Sequence, residues 1–215
     1  MDATQPPAAP VVFVVDDDPG MRAALSRLFL SARFTVEAYA SGQELLDHCD
    51  LSRQAVLLLD VLMPGMTGLE LQAKLVERGI TTPIVFLTGT HSIPMAVTAM
   101  QRGAVDFLEK PFENEALLER VRSAYEKPRP AARGVEGGEL DARAKALSPR
   151  EREVMFLVTA GKTNKEVAKV LAISPRTVEI HRMHLMEKML AQSLAELVRM
   201  AIVLGDRTEG PAQGG

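Results

Sequence analysis

The sequence lacks any long hydrophobic run, contains one cysteine and begins without positive charge. Its longest apolar stretches, such as Ala55–Leu59 and Ile84–Leu87, are far shorter than the roughly 20 residues that a membrane helix needs. The single cysteine, Cys49, excludes an intramolecular disulfide and a cysteine-based metal cluster. The first residues, MDATQPPAAP, argue against a secretory signal. We therefore expect a cytoplasmic protein with no membrane association.

A strong excess of basic charge is absent as well, because the formal net charge is −3. The charge is divided unevenly, however. Residues 1–127 contain 11 Lys and Arg against 17 Asp and Glu, whereas residues 148–215 contain 10 against 8. The C-terminal part is therefore compatible with DNA binding, but charge alone does not demonstrate it.

A chain of 215 residues predicts two domains. The segment KPRPAARGVEGG, from residue 127 to residue 138, contains proline and glycine without apolar periodicity and so predicts a linker. Residues 139–147 are compatible with a short helix. The predicted organisation is a disordered lead-in (1–9), an α/β domain (10–126), a linker (127–145), a small all-α domain (146–205) and a disordered tail (206–215).

Apolar runs alternate with amphipathic stretches in the first domain, which indicates buried parallel strands connected by helices. This pattern predicts a flavodoxin-like (βα)5 fold with helices on both faces of a parallel sheet, and ligands at the carboxyl ends of its strands. The predicted strands are Val11–Val15, Phe34–Tyr39, Ala55–Leu59, Pro83–Leu87 and Val105–Leu108, and the helices begin near Pro19, Ser41, Gly68, Ser92 and Glu113.

Charged and polar residues follow four of these strands. Carboxylates crowded at one sheet edge repel each other, so a hard divalent cation is implied, with Mg2+ the obvious candidate. With that cation held, a carboxylate oxygen of Asp60 could attack phosphorus in line and become an acyl phosphate. The residues that follow the strands are Asp16, Asp17 and Asp18 after the first, Asp60 after the third, Thr88 after the fourth and Lys110 after the fifth.

The motifs VVDDDPG, LLLDVLMPGMTG, FLTG and AVDFLEKPF occur in this order over residues 10–126, and at these residues the chain resembles the receiver domains of two-component response regulators. The resemblance implies a phosphoacceptor at Asp60 and phosphoryl contacts from Thr88 and Lys110. It also implies a switch in which Thr88 moves toward the phosphoryl group and Phe107 rotates inward. The implied Mg2+ ligands are Asp16, Asp17, Asp60 and the backbone carbonyl of Leu62.

One residue departs from the pattern found in many receivers. Phe107 stands where many receivers carry Tyr or His, so no side-chain hydrogen bond can help to hold the inward state.

An alternative to a receiver is an Asp-based phosphatase, which commonly needs a second acid two residues beyond the nucleophile. That position is Leu62 for Asp60, whereas Asp16 and Asp18 formally fit the pattern. The chain lacks the cap domain usual for such enzymes, so we expect no enzyme activity beyond its own phosphorylation and dephosphorylation.

The second domain shows helical periodicity throughout and four predicted helices. Ser148 before Pro149 begins the first, Asn164 caps the second, and Ser174 before Pro175 begins the third. Three residues separate the second helix from the third, a spacing that suits a helix-turn-helix with its latter helix in the major groove.

The third helix has an inward stripe of Val178, Leu185 and Met189 and an outward face. On the outward face, Glu179 could accept from a cytosine amino group, and Ile180 or Met183 could touch a thymine methyl. Other residues could neutralise phosphates without specifying sequence. These are Lys162, Lys165, Arg176, Thr177, Arg182 and Lys188.

The order LSPREREVMFLVTAGKTNKEVAKVLAISPRTVEIHRMHLMEKM resembles the LuxR/FixJ-type helix-turn-helix over residues 146–204. The resemblance implies DNA contacts from residues 177–188 and dimerisation through the final helix, residues 193–204. Glu179 and Met183 stand where some relatives have basic residues, so the target sequence cannot be transferred. The apolar stripe predicted to dimerise consists of Leu194, Leu197, Val198 and Ala201.

Together these patterns predict a transcription regulator. Through SIPMAVTAM and AVDFLEKPF, its first domain most resembles the FixJ-like branch of response regulators. The expected partners are a sensor histidine kinase, double-stranded promoter DNA and a second copy of the phosphorylated chain, with RNA polymerase a further candidate. Phosphorylation either unmasks the DNA-binding domain or promotes its dimerisation, and the Pro/Gly linker favours dimerisation. A helical domain that binds another protein is the alternative to DNA binding.

Overall fold

A computed structural model describes residues 9–89, 93–126 and 137–208. The chain divides into two compact units, residues 1–90 with 104–129 and residues 91–103 with 130–215. The predicted lead-in, most of the predicted linker and the end of the predicted tail lie outside the described residues. Among the described helices, none has the length and apolar character that a membrane crossing requires.

Five parallel strands form one sheet in the order β2-β1-β3-β4-β5, which confirms the predicted (βα)5 fold. A helix follows each strand in the chain. The strands are β1 (Val11–Val15), β2 (Thr35–Tyr39), β3 (Ala55–Asp60), β4 (Ile84–Thr88) and β5 (Asp106–Glu109). The helices are α1 (Pro19–Ser31), α2 (Gly42–His48), α3 (Gly68–Glu77), α4 (Ile93–Gln101) and α5 (Asn114–Glu126).

The central strands are buried on both faces, which is why they are almost entirely apolar. Alternate side chains of a strand point to opposite faces. One set packs with residues of α1 and α5 in a single core cluster that includes Val14, Leu58, Phe29 and Leu117. On the opposite face, Phe86 is fully buried and lies beside the start of α3.

The order of the strands in the sheet decides which of the predicted acidic and polar residues lie near one another. Strands β1 and β3 are neighbours at the centre of the sheet, with Val15 opposite Leu59. Asp16 and Asp60 are the next residues along each chain segment, so both lie at the carboxyl edge. Thr88 ends β4 opposite Glu109 of β5, and Lys110 follows directly. Four of the residues predicted to converge on one edge, Asp16, Asp60, Thr88 and Lys110, therefore do so.

The described part of the C-terminal segment, residues 137–208, is helical and contains no strand. The four predicted helices are confirmed, and the short helix expected near residues 139–147 is present as α6, within the segment predicted as linker. The last helix continues to Thr208, beyond the predicted domain end at residue 205. The helices are α6 (Gly137–Lys145), α7 (Pro149–Thr159), α8 (Asn164–Leu171), α9 (Pro175–Met189) and α10 (Leu194–Thr208).

Side-chain caps fix where these helices begin. Ser148 caps α7 and Ser174 caps α9, as predicted. The prediction that Asn164 caps α8 is wrong, because Thr163 is the N-cap and Asn164 is the first helical residue. Thr163 accepts from the Glu166 backbone N–H while the Glu166 carboxylate accepts from Thr163 N–H, so the reciprocal capping box decides the position.

The helical core confirms the inward face predicted for α9. Val178, Leu185 and Met189 are fully buried and belong to one cluster with residues of the other helices, including Val154 and Val167. The separation of α8 from α9 is three residues, and the first of them, Ala172, has a left-handed backbone with φ 52° and ψ 44°. The compact turn typical of a helix-turn-helix is thus present.

Candidate functional site

Lys110 joins the two acidic strand ends of the first unit. Its Nζ donates to Asp16 Oδ2 and to Asp60 Oδ1, each at 2.8 Å. The Asp16 and Asp60 side chains are 3% and 9% exposed, and that of Lys110 is 19% exposed. Two buried carboxylates would repel each other without a cation between them. Lys110 is therefore the intramolecular counter-ion of this pair.

The three consecutive aspartates after β1 have different surroundings. Asp16 Oδ1 accepts from the Asp18 backbone N–H at 2.9 Å, and Asp18 Oδ1 accepts from Gly20 N–H at 2.7 Å as the N-cap of α1. Asp17 is exposed, and its side chain has no hydrogen bond or salt bridge within residues 9–89 and the other described segments. Asp18 is thus a helix cap, Asp16 lies in the site, and Asp17 is open to solvent.

Arg22, one turn into α1, holds the same loop from the other side. Its Nη1 donates to the backbone carbonyl of Asp16 at 2.7 Å and to that of Asp17 at 2.9 Å. The prediction from sequence did not include Arg22. A basic residue one helical turn after an acidic loop was the only signal, and such residues usually face solvent.

The loop after β3 closes tightly on Asp60. Asp60 Oδ2 accepts from the Leu62 backbone N–H at 2.8 Å, and Gly68 N–H donates to the Val61 carbonyl at 3.0 Å. A Cβ on residue 68 would lie 2.2 Å from the Asp60 carbonyl oxygen. Only glycine permits this approach, so Gly68 sets the path of the loop. Leu62 is 52% exposed at the mouth of the site.

Burial and hydrogen bonding act in opposite directions on the charged groups. Burial raises the pKa of the Asp60 carboxyl above its usual value, and the hydrogen bond from Lys110 opposes that rise. Burial would lower the pKa of Lys110, but its hydrogen bonds to Asp16 and Asp60 outweigh burial, so the pKa lies above its usual value. Lys110 therefore remains a cation within the site at neutral pH.

Thr88 and Phe107 lie on the adjoining strands. Thr88 is 1% exposed at the end of β4, and its carbonyl accepts from Lys110 N–H at 2.7 Å. Phe107 is partly buried, and its ring centroid lies 6.2 Å from that of Phe86. The backbone N–H of Phe107 donates to Asp106 Oδ1, while Asp106 Oδ2 accepts from Arg120. This Asp106–Arg120 pair was not predicted.

The carboxylates at this edge suit Mg2+, because they offer the oxygen ligands that this ion prefers. The set of predicted ligands is brought together only in part. Asp16 and Asp60 are brought together through Lys110, but among the described residues no three His, Cys, Asp or Glu side chains form a ready metal cluster. Of the three predicted carboxylates, Asp17 is the one exposed to solvent.

The basic residues around the helix-turn-helix fall into two groups. Lys162 and Lys165 are exposed near the start of α8, and neither forms a salt bridge within the described residues. Three others are engaged within the chain: Arg176 with Glu179 at 2.9 Å, Arg182 with Asn164 Oδ1 at 2.6 Å, and Lys188 with Glu151 at 2.7 Å. Burial lowers the pKa of Arg182 from its usual value.

The outward face of α9 carries apolar side chains that are open to solvent. Ile180 is 41% exposed and Met183 is 53% exposed, although both are large and hydrophobic. Thr177 lies at the N-terminal end of the same helix, where its backbone N–H donates to Ser174 Oγ at 3.0 Å. Exposed apolar groups on a helix with polar neighbours are suited to contact with a partner.

The residues predicted to dimerise lie largely within the protein. Leu197 and Val198 are each 1% exposed, and Leu197 belongs to the helical core, against which Leu194 and Ala201 are partly buried. The apolar stripe of α10 therefore serves intramolecular packing in this structure. An amphipathic stripe has the same spacing whether it packs inside one chain or between two, so the sequence alone leaves both possibilities open.

Comparisons with known proteins assign both parts of the chain. Residues 12–122 match the family described as response regulator receiver domain, and residues 145–201 match bacterial regulatory proteins of the luxR family. Nodulation protein W of Bradyrhizobium diazoefficiens is 46% identical over 198 residues, covering 91% of this chain and 86% of that protein. The transcriptional regulatory protein FixJ of the same species is 43% identical over 195 residues, covering 90% and 95%.

A solved structure agrees with these matches. The crystal structure of full-length FixJ from B. japonicum has a TM-score of 0.53 and 42% identity, with 92% of this chain and 98% of that chain covered. The relatives named here are transcription regulators or nodulation proteins by name, and none is named as an enzyme. The chain therefore belongs to the two-component response regulators of the LuxR/FixJ type, which regulate transcription through a receiver domain and a LuxR-type DNA-binding domain.

Proposed function

We propose that Asp60 is the phosphoacceptor of this response regulator and that its phosphorylation controls DNA binding through α9. The observation that carries the proposal is the bridge from Lys110 to both Asp16 and Asp60. A buried carboxylate beside a fixed ammonium can attack phosphorus while that ammonium stabilises charge on the transferring group.

In the proposed reaction, an Asp60 carboxylate oxygen forms a bond to phosphorus while the bond from phosphorus to the donor breaks. A histidine of a sensor kinase is the proposed donor, so a P–N bond breaks and the imidazole retains the electron pair. Lys110 faces the developing charge, and the Thr88 hydroxyl at the end of β4 would contact the phosphoryl group. The product is an acyl phosphate on Asp60.

Mg2+ is the proposed cofactor, and when bound it would neutralise charge on the phosphoryl oxygens. Its proposed ligands are Asp16, Asp17, Asp60 and the backbone carbonyl of Leu62. Asp17 would have to turn toward the other two carboxylates, and its open position at the surface leaves it free to do so. Arg22 holds the carbonyls of Asp16 and Asp17 and thereby limits how far the loop itself can move.

Proposed signal transmission begins at Thr88 and passes to Phe107. The Phe107 ring is only partly buried and lies against Phe86, so an inward rotation would bury more apolar surface. The Asp106 carboxylate holds the Phe107 backbone N–H and is itself joined to Arg120. We propose that the side chain, and not the strand, is what moves.

For DNA binding we propose that α9 enters the major groove, with Glu179, Ile180 and Met183 toward the bases. Exposure of the two apolar residues supports this orientation. Lys162, Lys165, Arg176 and Thr177 are the proposed phosphate contacts, whereas Arg182 and Lys188 bond to residues of α8 and α7. Phosphorylation is proposed to promote dimerisation on a two-part site, but the burial of Leu197 and Val198 means that these residues do not support α10 as the interface.

The test is incubation of the chain with Mg2+ and acetyl phosphate, followed by intact-mass measurement and a DNA-binding assay. We expect a mass gain of one phosphoryl group, lost in Asp60→Asn and retained in Asp47→Asn, an exposed aspartate of α2. Binding to a duplex selected from a random library should tighten only in the chains that gain mass. No mass gain in the native chain would contradict the assignment of Asp60.

A further inference from the structure

Glu151 differs from the other glutamates that cap helices in this protein. Within the described residues, three helices begin with a capping box, in which Glu70, Glu151 or Glu166 accepts from the N-cap backbone. Glu70 and Glu166 are exposed, whereas Glu151 is 4% exposed. Glu151 Oε2 also accepts from Lys188 Nζ at 2.7 Å, in addition to Ser148 N–H at 2.7 Å. Capping needs neither the burial nor the lysine, so capping alone does not account for the bond from Lys188.

The bridge connects two distant points of the helical core. Glu151 lies in the first turn of α7, and Lys188 lies 37 residues later, in the last turn of α9. Val178, Leu185 and Met189 already pack α9 inward by apolar contacts. Hydrophobic burial has no preferred direction, whereas a short charge-assisted hydrogen bond is directional.

A second polar contact fixes the middle of the same helix. Arg182 Nη1 donates to Asn164 Oδ1 at 2.6 Å and so joins α9 to the first residue of α8. Helix α9 is therefore joined to other helices at its middle by the partly buried Arg182 and at its end by Lys188, whose side chain is 42% exposed. Lys162 and Lys165 are also exposed, but neither forms a salt bridge in the described segments.

We propose that Glu151 is a positioning residue, which acts through Lys188 to fix α9 so that Ile180 and Met183 meet the bases. Lys188 and Arg182 then fix the position of α9, and Lys162 and Lys165 contact DNA phosphates. This inference rests on the proposed DNA-binding function of α9. It assigns specificity to an ion pair that touches no nucleic acid.

The experiment measures salt dependence as well as affinity. The probe is a duplex that the full-length native chain selects from a random library, with a scrambled duplex of the same composition for non-specific binding. The variants are Glu151→Gln, Lys188→Met and the double variant, with Lys165→Met as the control for a phosphate contact. Each variant is first checked for native helix content by circular dichroism.

A phosphate contact and a positioning residue give different results. A plot of log K against log salt concentration has a negative slope. Losing one phosphate contact makes that slope less steep by about 0.9 and weakens binding to both probes alike. We expect this for Lys165→Met. For Glu151→Gln and Lys188→Met we expect about tenfold weaker binding to the selected probe with slope and scrambled-probe binding unchanged. The double variant should lose no more than either single variant, because both remove one interaction.

Three outcomes would overturn the inference. One is a salt dependence for Lys188→Met that becomes less steep to the same extent as for Lys165→Met. Another is that Glu151→Gln binds the selected probe with the affinity of the native chain. The third is an equal loss on both probes, since lower stability alone would reduce the active fraction and leave their ratio unchanged. If the native chain selects no duplex from the library, the proposed function itself is overturned.

Discussion

Lys110 Nζ lies 2.8 Å from Asp60 Oδ1, although 50 residues separate the two in the sequence. Replacing Lys110 with Met would leave two buried carboxylates without their cation. We expect phosphorylation by acetyl phosphate to slow by about 100-fold, the usual effect of removing one group that stabilises a transition state. The rate of mass gain checks this, and Lys74→Met on α3 is the control.

A result in which Lys110→Met is phosphorylated at the native rate would contradict the role assigned to Lys110. Lys110→Arg separates charge from shape, because it retains the cation but changes the donor geometry. We expect this variant to lie between the native chain and Lys110→Met in rate.

Gly68→Ala tests the close approach of α3 to β3. The added Cβ would lie 2.2 Å from the Asp60 carbonyl oxygen, a backbone atom that cannot move aside without shifting the strand end. We expect a loss of about 1–3 kcal/mol in the free energy of unfolding, as for overpacking in a core, together with slower phosphorylation. Urea titration followed by circular dichroism measures the first effect.

Gly89→Ala is the matched control, because nothing lies within 4 Å of a Cβ built at residue 89. Equal stability of Gly68→Ala and Gly89→Ala would show that the loop after Asp60 is not closed as described.

The Glu151–Lys188 pair predicts a specific dependence of stability on pH. The hydrogen bond from Lys188, followed by that from Ser148, lowers the pKa of Glu151 from 4.5 to about 2. Because the folded pKa is the lower one, the stabilisation is full above pH 4.5 and is lost as the pH falls toward 2. One pKa unit corresponds to about 1.4 kcal/mol, and the exposure of Lys188 reduces the effect to about 1–3 kcal/mol.

Urea titrations between pH 2.5 and 6 check this expectation. Glu151→Gln should flatten the dependence, and Glu153→Gln, which removes an exposed partner of Arg150, should change it little. Parallel curves for the native chain and Glu151→Gln would mean that Glu151 is not held by its partners.

Ala172 occupies a conformation that favours glycine, with φ 52°. Ala172→Gly removes the clash of the Cβ in the left-handed region but adds freedom to the unfolded chain. We expect a net gain of about 0.5 kcal/mol in stability, and a loss for the β-branched Ala172→Val. Thermal unfolding of both variants measures the sign, and a more stable Ala172→Val would contradict the left-handed turn.

The sequence predicted the sheet and the acidic edge well, because strand ends in a parallel sheet meet whatever the details of packing. Asp16, Asp60, Thr88 and Lys110 could be placed from their positions after four strands. Contacts of long side chains could not be predicted. Nothing local distinguishes Glu151, which binds Lys188, from Glu166, which remains at the surface, since both follow a hydroxyl residue by three positions.

The same limit explains the stripe of α10 and the engaged cations of α9. Leu197 was predicted as an interface residue and lies in the core. Arg182 was predicted as a phosphate contact, and its side chain lies against Asn164. Helical periodicity identifies which side chains share a face, but only the three-dimensional arrangement of the helices decides what that face meets.

The Lys110–Asp16 bond joins residues 94 positions apart, from opposite ends of the first domain. During synthesis on the ribosome, Asp16 and Asp60 emerge well before Lys110 does. A nascent chain stalled before residue 110 contains both carboxylates but not the cation that bridges them. The proposed acceptor site is therefore complete only when nearly the whole receiver domain has been made.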